Sequence, residues 1–198
     1  TGAIGYKKSQ HWLRLLGGNA FLTEEENQLE NSHFGHLRYN YFWQPRLSSF
    51  HFIQFQRNAN LILNFREIAG SGLRYHLLQS DSGFNLIMGS GIMYEDEQLQ
   101  AGKLEPNESQ RTQHFRSTSM LVIAHQFSPQ FILKNITYFQ PRLQWLNDFR
   151  LLNELDFVVA VNESVNLELA FEWRYDNLPQ GQLERNDYGL EMGLNINL

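Results

Sequence analysis

Val165-Asn166-Leu167-Glu168-Leu169-Ala170-Phe171-Glu172-Trp173-Arg174-Tyr175-Asp176 is the stretch that decides the fold. Its odd positions carry large apolar or aromatic side chains, and its even positions are polar, charged or small. A period of two belongs to a strand whose two faces meet different surroundings. The last segment repeats it, with Tyr188, Leu190, Met192, Leu194, Ile196 and Leu198 on one face and Asp187, Gly189, Glu191, Gly193, Asn195 and Asn197 on the other. Phe84, Leu86, Met88, Ile92 and Tyr94 oppose Asn85, Gly89, Gly91, Glu95 and Glu97 in the same way. Helical spacing at i, i+3, i+4 is not sustained anywhere.

Clusters of Pro, Gly, Asn, Asp and Ser divide the chain into ten expected strands, at roughly 8–22, 29–43, 47–58, 61–78, 83–97, 111–127, 130–140, 148–161, 165–176 and 186–198. Several are far longer than the roughly 5–6 residues usual in soluble sheets, and reach the roughly 9–11 needed to cross a bilayer at a tilt. Short turns follow the even strands, at Gln44-Pro45-Arg46, Gln79-Ser80-Asp81-Ser82, Ser128-Pro129 and Asn162-Glu163-Ser164. Longer polar loops are expected after strands 1, 5, 7 and 9, including 96–110 and 177–185; the connection near Asn58-Ala59-Asn60 is short. Short turns on one rim and long loops on the other are the asymmetry of an outer-membrane barrel, and an even strand count puts both termini on the short-turn, periplasmic side.

Bulk composition agrees. The 198 residues suffice for one domain, 1–198, and no apolar run approaches the length of a transmembrane helix. Hydrophobic residues make up only 42%, yet 15 Phe, 8 Tyr and 4 Trp give 14% aromatics, enough to drive folding. The net charge of −5 and the lack of a basic cluster argue against nucleic acid as a partner. With no Cys there are no thiolate metal sites and no disulfides, which suits an oxidising compartment. Thr1 opens the sequence without a basic n-region or an apolar h-region, so either no signal peptide exists or it has been removed, and a mature, exported chain is one expectation.

Periodicity cannot say which face points inward, because a soluble barrel buries its apolar set and a membrane barrel exposes it. Three features favour the membrane orientation. The polar faces carry Arg and carboxylates with few Lys, which suits a confined lumen. Aromatics gather at strand ends, at Tyr39, Tyr41 and Trp43, at Phe127 and Phe131, and at Trp173 and Tyr175, as girdles do at bilayer interfaces. Glycines recur on the polar face, where a small barrel is crowded. The lumen network expected from this reading comprises Arg66, Arg74, Glu95, Arg150, Glu154, Glu168, Glu172, Arg174, Asp176 and Glu191. Closing the strands around Gln79–Ser82 sets Arg66 opposite Glu95, and Gly70 and Gly72 opposite Gly91 and Gly89. Closing across Asn162–Ser164 sets Arg150 opposite Asp176 and Glu154 opposite Glu172.

Four segments then resemble a known family: His36-Leu37-Arg38-Tyr39-Asn40-Tyr41, Phe52-Ile53-Gln54-Phe55-Gln56-Arg57-Asn58, Arg66-Glu67-Ile68-Ala69-Gly70-Ser71-Gly72-Leu73-Arg74-Tyr75, and Gly89-Ser90-Gly91-Ile92-Met93-Tyr94-Glu95-Asp96-Glu97. Together with Glu172-Trp173-Arg174-Tyr175-Asp176-Asn177-Leu178-Pro179 they are similar to salt-induced outer-membrane proteins carrying the domain of unknown function 481, over most of residues 30–198. The resemblance implies an outer-membrane location in a Gram-negative bacterium and is nearly silent on activity. The chain departs from barrel habit in ending on Leu198 instead of an aromatic residue. Relatives often carry more sequence upstream, and a further hairpin there would make twelve strands.

Sites for chemistry are sparse. His33 and His36, at i and i+3 on a strand, point to opposite faces and cannot chelate one ion. Glu95-Asp96-Glu97, beside Glu105 and Glu108, reads as rim charge before it reads as a cation site. Ser117 or Ser119 with His114 or His125 matches no nucleophile elbow. Gln44-Pro45-Arg46-Leu47 and Gln140-Pro141-Arg142-Leu143 echo each other as turn chemistry. The expectation is a closed, ten-stranded, antiparallel up-and-down transmembrane β-barrel, not an enzyme, with no cofactor and no metal. Its role is structural, accessory or narrow-channel, and its partners are membrane lipid, lipopolysaccharide and other subunits of an outer-membrane complex. The alternatives are a soluble calycin-like barrel for a small apolar ligand and an outer-membrane hydrolase.

Overall fold

A computed structural model describes residues 2–24, 27–162 and 164–196, with the backbone alone at 20–24, 27–31, 195 and 196. Thr1, Glu163, Asn197 and Leu198 lie outside the described residues, and with them the middle of the Asn162–Ser164 turn and the last two positions of the expected final strand. The chain is all-β. Its strands are β1 (Gly2–Lys8), β2 (His11–Glu24), β3 (Asn27–Phe42), β4 (Leu47–Asn58), β5 (Leu63–Gln79), β6 (Phe84–Leu99), β7 (Arg111–Ser128), β8 (Phe131–Arg142), β9 (Trp145–Ala160), β10 (Val165–Asp176) and β11 (Asn186–Ile196). Each pairs antiparallel with the next, giving one up-and-down sheet that curls on itself with β1 and β11 as its edges.

Eleven strands replace the ten expected. The segment read as 8–22 corresponds to β2, and residues 2–8, for which no strand was expected, form β1, joined to it by the two-residue turn Ser9-Gln10 with Ser9 at φ 50°. Glycines and lysines in Gly2–Lys8 dilute its alternation, and the Lys8-Ser9-Gln10 turn carries no Gly or Pro to mark it. The odd count places the start of β1 and the end of β11 on opposite rims, and leaves β1 and β11 running in the same direction. No β1–β11 pairing exists among the described residues, so the sheet is an open half-barrel.

The short-turn rim is as expected, and on the opposite rim, among the described residues, the long connections are those at 100–110 and 177–185. The four-residue connection between β4 and β5 is short as expected, whereas β8 and β9 run on until two residues separate them where a longer loop was expected.

Register across β9 and β10 follows the sequence pattern, with Arg150 opposite Asp176 and Glu154 opposite Glu172. Register across β5 and β6 is two residues away from the expected one. Arg66 lies opposite Glu97, Gly72 opposite Gly91, Gly70 opposite Met93 and Arg74 opposite Gly89. Two local features cause the shift. The turn includes Gly83, whose φ of 83° suits glycine, and a bulge between His76 and Leu78 removes one step from the ladder.

Curvature is sharpest where these glycines meet. A side chain on Gly72 would fall on the Ser90 carbonyl oxygen and the Phe50 ring, and one on Gly91 on the Ser71 carbonyl oxygen. Phe50 and Phe52 lie across the glycines with ring centroids 6.2 Å apart, and with Ile68, Met93 and Met120 form an apolar layer on the concave face. A second apolar cluster sits at the loop rim, where Ile62, Leu63 and Leu99 pack against Leu61, Leu104 and Leu183. Gly181 donates its backbone N–H to Glu108 at 2.8 Å, tying the two long loops together.

Gly91→Ala should therefore prevent the close approach of β5 and β6 and shift the urea midpoint of detergent-solubilised protein sharply down. Gly35→Ala, whose added carbon meets nothing within 4 Å, should leave the midpoint nearly unchanged.

A charged cavity on the concave face as candidate functional site

Alternation sends Arg66 on β5, Glu95 and Glu97 on β6, Arg116 on β7 and Arg150 on β9 to the concave face. There they meet. Arg66 ion-pairs with Glu97 and its Nε lies 3.4 Å from Glu95. Arg116 Nε donates to Glu95 at 2.8 Å, and its Nη1 reaches Asp148 at 2.8 Å. Arg150 donates to Asp176 at 2.8 Å, to Glu95 at 2.7 Å and to Glu97 at 3.1 Å. Since Arg150 stands on β9 and Glu95 on β6, that contact spans two intervening strands and exists only because the sheet is curved.

Burial makes the arrangement demanding. Arg116 is 2% exposed and Glu95 1%, so each charge must be met by partners in place of water. Pro141 helps. It has no N–H for the β7–β8 ladder, pairing lapses between Arg116↔Arg142 and Ser119↔Phe139, and Arg116 Nη1 donates to the Gln140 carbonyl at 3.2 Å and that of Asp148 at 3.4 Å.

All ten side chains expected in the lumen stand on strands whose polar face is concave, but not in one network. Arg66, Glu95, Arg150 and Asp176 share the cluster just described. Arg174 pairs with Glu172 at 3.1 Å, and Glu154 faces Glu172 across the β9–β10 ladder. Glu168 and Glu191 lie beyond them on β10 and β11. Arg74 stands apart, its guanidinium 5.2 Å from the centre of the Phe50 ring. Glu97, Arg116, Asp148 and Arg142 were not anticipated as members. For Glu97 the signal was present, two residues beyond Glu95 on the same face.

Other candidates separate. Glu95 and Glu97 face inward and Asp96 outward, so this triplet is not a rim cluster, and Glu108 is occupied by Gly181. His33 and His36 do point to opposite faces, and His36 Nδ1 lies 2.9 Å from Gln54 Oε1. Ser117 and Ser119 take the convex face, while His114 takes the concave one.

The curled sheet encloses a cavity of about 810 Å³. Arg14, His36, Arg38 and Arg74 line one side, and Glu154, Glu172 and Arg174 the other, with Pro179–Asp187 of the β10–β11 loop at its mouth. The convex face is the opposite in character. Leu15, Leu37, Ile53, Leu73, Met88, Ile92, Leu121, Leu167, Leu169, Leu190 and Met192 are all exposed there.

A family model described as "Protein of unknown function, DUF481" matches residues 5–197. Comparison with curated proteins gives no match.

Removing one partner from the buried cluster should be costly. Glu95→Gln leaves Arg116 and Arg150 undercompensated and should cost about 3–5 kcal/mol of unfolding free energy. Asp96→Asn, on the convex face, should leave the urea midpoint in place.

Proposed function

We propose, from the premise that the chain belongs to the DUF481 family, that it is an outer-membrane β-barrel whose convex face meets lipid and whose charge-filled interior serves a structural, accessory or narrow-channel role. The observation that carries this reading is the distribution of apolar surface. A soluble calycin-like barrel would bury its large apolar side chains inside, whereas here they stand exposed on the convex face and the ion pairs are concave.

The ends of the apolar surface support a bilayer. At the short-turn rim Tyr41 packs edge-on against Trp43 at 4.8 Å, and Phe127 stacks on Phe131 at 5.4 Å. At the other rim Tyr94 meets Phe115, Phe149 meets Tyr175, and Trp173 meets Tyr175. Beyond Tyr94 and Phe115 the convex face of β6 and β7 turns polar, with Asp96 receiving Arg111 at 3.0 and 2.6 Å and Gln113 at 2.8 Å. Those residues stand outside the apolar belt, and the Arg111 guanidinium holds the Asp96 carboxyl below the usual carboxylate range.

On the convex face, Asn135, Thr137 and Asn153 satisfy one another. Asn153 Nδ2 donates to Thr137 at 2.8 Å and to Asn135 at 3.2 Å, and Asn135 Nδ2 returns a bond to Asn153 at 3.1 Å. Such self-sufficiency is what a water-free surrounding requires.

Lipid does not tolerate open sheet edges. Because β1 and β11 point the same way, antiparallel closure takes one further strand between them, and we read the complete barrel as twelve-stranded. The cluster of Arg66, Glu95, Glu97, Arg116 and Arg150 occupies much of the lumen, so an open diffusion pore is not the role proposed.

The protein should need detergent for extraction from its native membrane and show heat-modifiable migration on a gel. In planar bilayers it should give small or no conductance steps. Recovery as a monomer in plain buffer would contradict the membrane reading, and large steps would contradict the filled lumen.

A further inference from the structure

Arg14 and Arg38 are direct cross-strand partners on the concave faces of β2 and β3. Like charges in that position repel, and a sheet normally avoids them or places a carboxylate between them. Among the described residues no carboxylate lies within ion-pair distance of Arg14, Arg38 or Arg74. Arg74 adds a third positive charge to the same wall, near enough for the fields of Arg38 and Arg14 to act on it. Arg66, Arg150 and Arg174, which face the same cavity, each have a carboxylate partner.

Donors are left over at the same wall. Arg38 Nε and Arg74 Nε are buried without a hydrogen-bond partner in the protein, and His36 Nε2 beside them is unpartnered too. Two residues along β3 from Arg38, on the same face, Asn40 is 1% exposed and neither its Nδ2 nor its Oδ1 is bonded. Unmet buried donors cost free energy, as does the repulsion among three guanidinium groups, and one kind of ligand relieves both.

We propose that Arg14, Arg38 and Arg74 form a binding site for an oxyanion, a phosphate or carboxylate group, carried by an organic ligand whose apolar part lies against Phe34 and Phe52. Guanidinium forks match both oxyanions in shape and charge. Phe34 and Phe52 line the same cavity, Phe52 stacked on His36 at 5.6 Å, and about 810 Å³ accommodates a ligand of moderate size. Glu154 and Glu172 on the facing wall suit hydroxyl or amino groups at the ligand's far end. The site lies on the concave face whatever medium covers the convex one, so its failure and the failure of the membrane reading are separate results.

Titration calorimetry on the full chain in detergent micelles tests this, with phenyl phosphate, inorganic phosphate and micellar phosphatidylglycerol as probes. Phenyl phosphate should bind and raise the unfolding temperature. Arg38→Gln and Arg74→Gln should each weaken binding by about tenfold or more, while Arg57→Gln, on the exposed convex face, should not. Without ligand, Arg38→Gln should unfold no earlier than the parent, because it removes a repulsion. Binding of phosphatidylglycerol alone, with the same dependence on Arg38 and Arg74, would identify the oxyanion as a lipid headgroup. The proposal is overturned if no probe binds at millimolar concentration, if the two substitutions leave affinity unchanged, or if Arg38→Gln unfolds earlier than the parent.

Discussion

Arg150 reaching from β9 to Glu95 and Glu97 on β6 is the contact on which the rest of the structure depends. The two strands are separated in the ladder by β7 and β8, so a flat sheet would hold these charges far apart. The same guanidinium binds Asp176 on the adjacent β10, and the carboxylates of β6 hold Arg66 and Arg116 from the strands on either side, so the curl joins two sets of neighbouring pairs into one cluster. Curvature makes the cluster, and the cluster in turn resists any flattening, because separating it would strand buried charges. The glycines of β5 and β6 permit the curl, and Phe50 and Phe52 occupy the space their missing side chains leave.

Two consequences follow for the faces of the sheet. The concave side is held by ion pairs above an apolar floor of Phe50, Ile68, Met93 and Met120, which limits water around the charges. The convex side has no such demands and carries the large apolar residues. Inversion of the usual inside-outside rule is therefore not a matter of composition but of which face can close a charge network over itself. The wall of Arg14, Arg38 and Arg74 differs from this pattern, three positive charges with no carboxylate beside them among the described residues.

Much of this was legible in alternation alone. Strand identity from β3 to β11, the assignment of polar residues to one face, and the pairing of Arg150 with Asp176 all follow from a period of two and from one well-marked turn. What was not legible has local causes. The β1–β2 hairpin hides because Ser9-Gln10 turns without Gly or Pro. The β5–β6 register hides because a bulge at His76–Leu78 and a left-handed Gly83 each move it. Arg116 hides because its partners, Glu95 and Asp148, come from strands on either side of the curl, and no spacing along the chain brings them together. The cavity is a property of curvature, which period-two patterns do not encode.

The central claim is that neighbouring residues on one strand meet different media, and the absence of cysteine from the chain makes it directly measurable. Single cysteines at Leu169 and Ala170, carrying spin labels in protein reconstituted into phosphatidylcholine vesicles, compare the two faces of β10 at one depth. The label at 169 should collide freely with dissolved oxygen and be shielded from a water-soluble nickel complex, and the label at 170 should be shielded from oxygen. Equal access of the nickel complex to position 169, or loss of the difference between the two sites, would contradict the account.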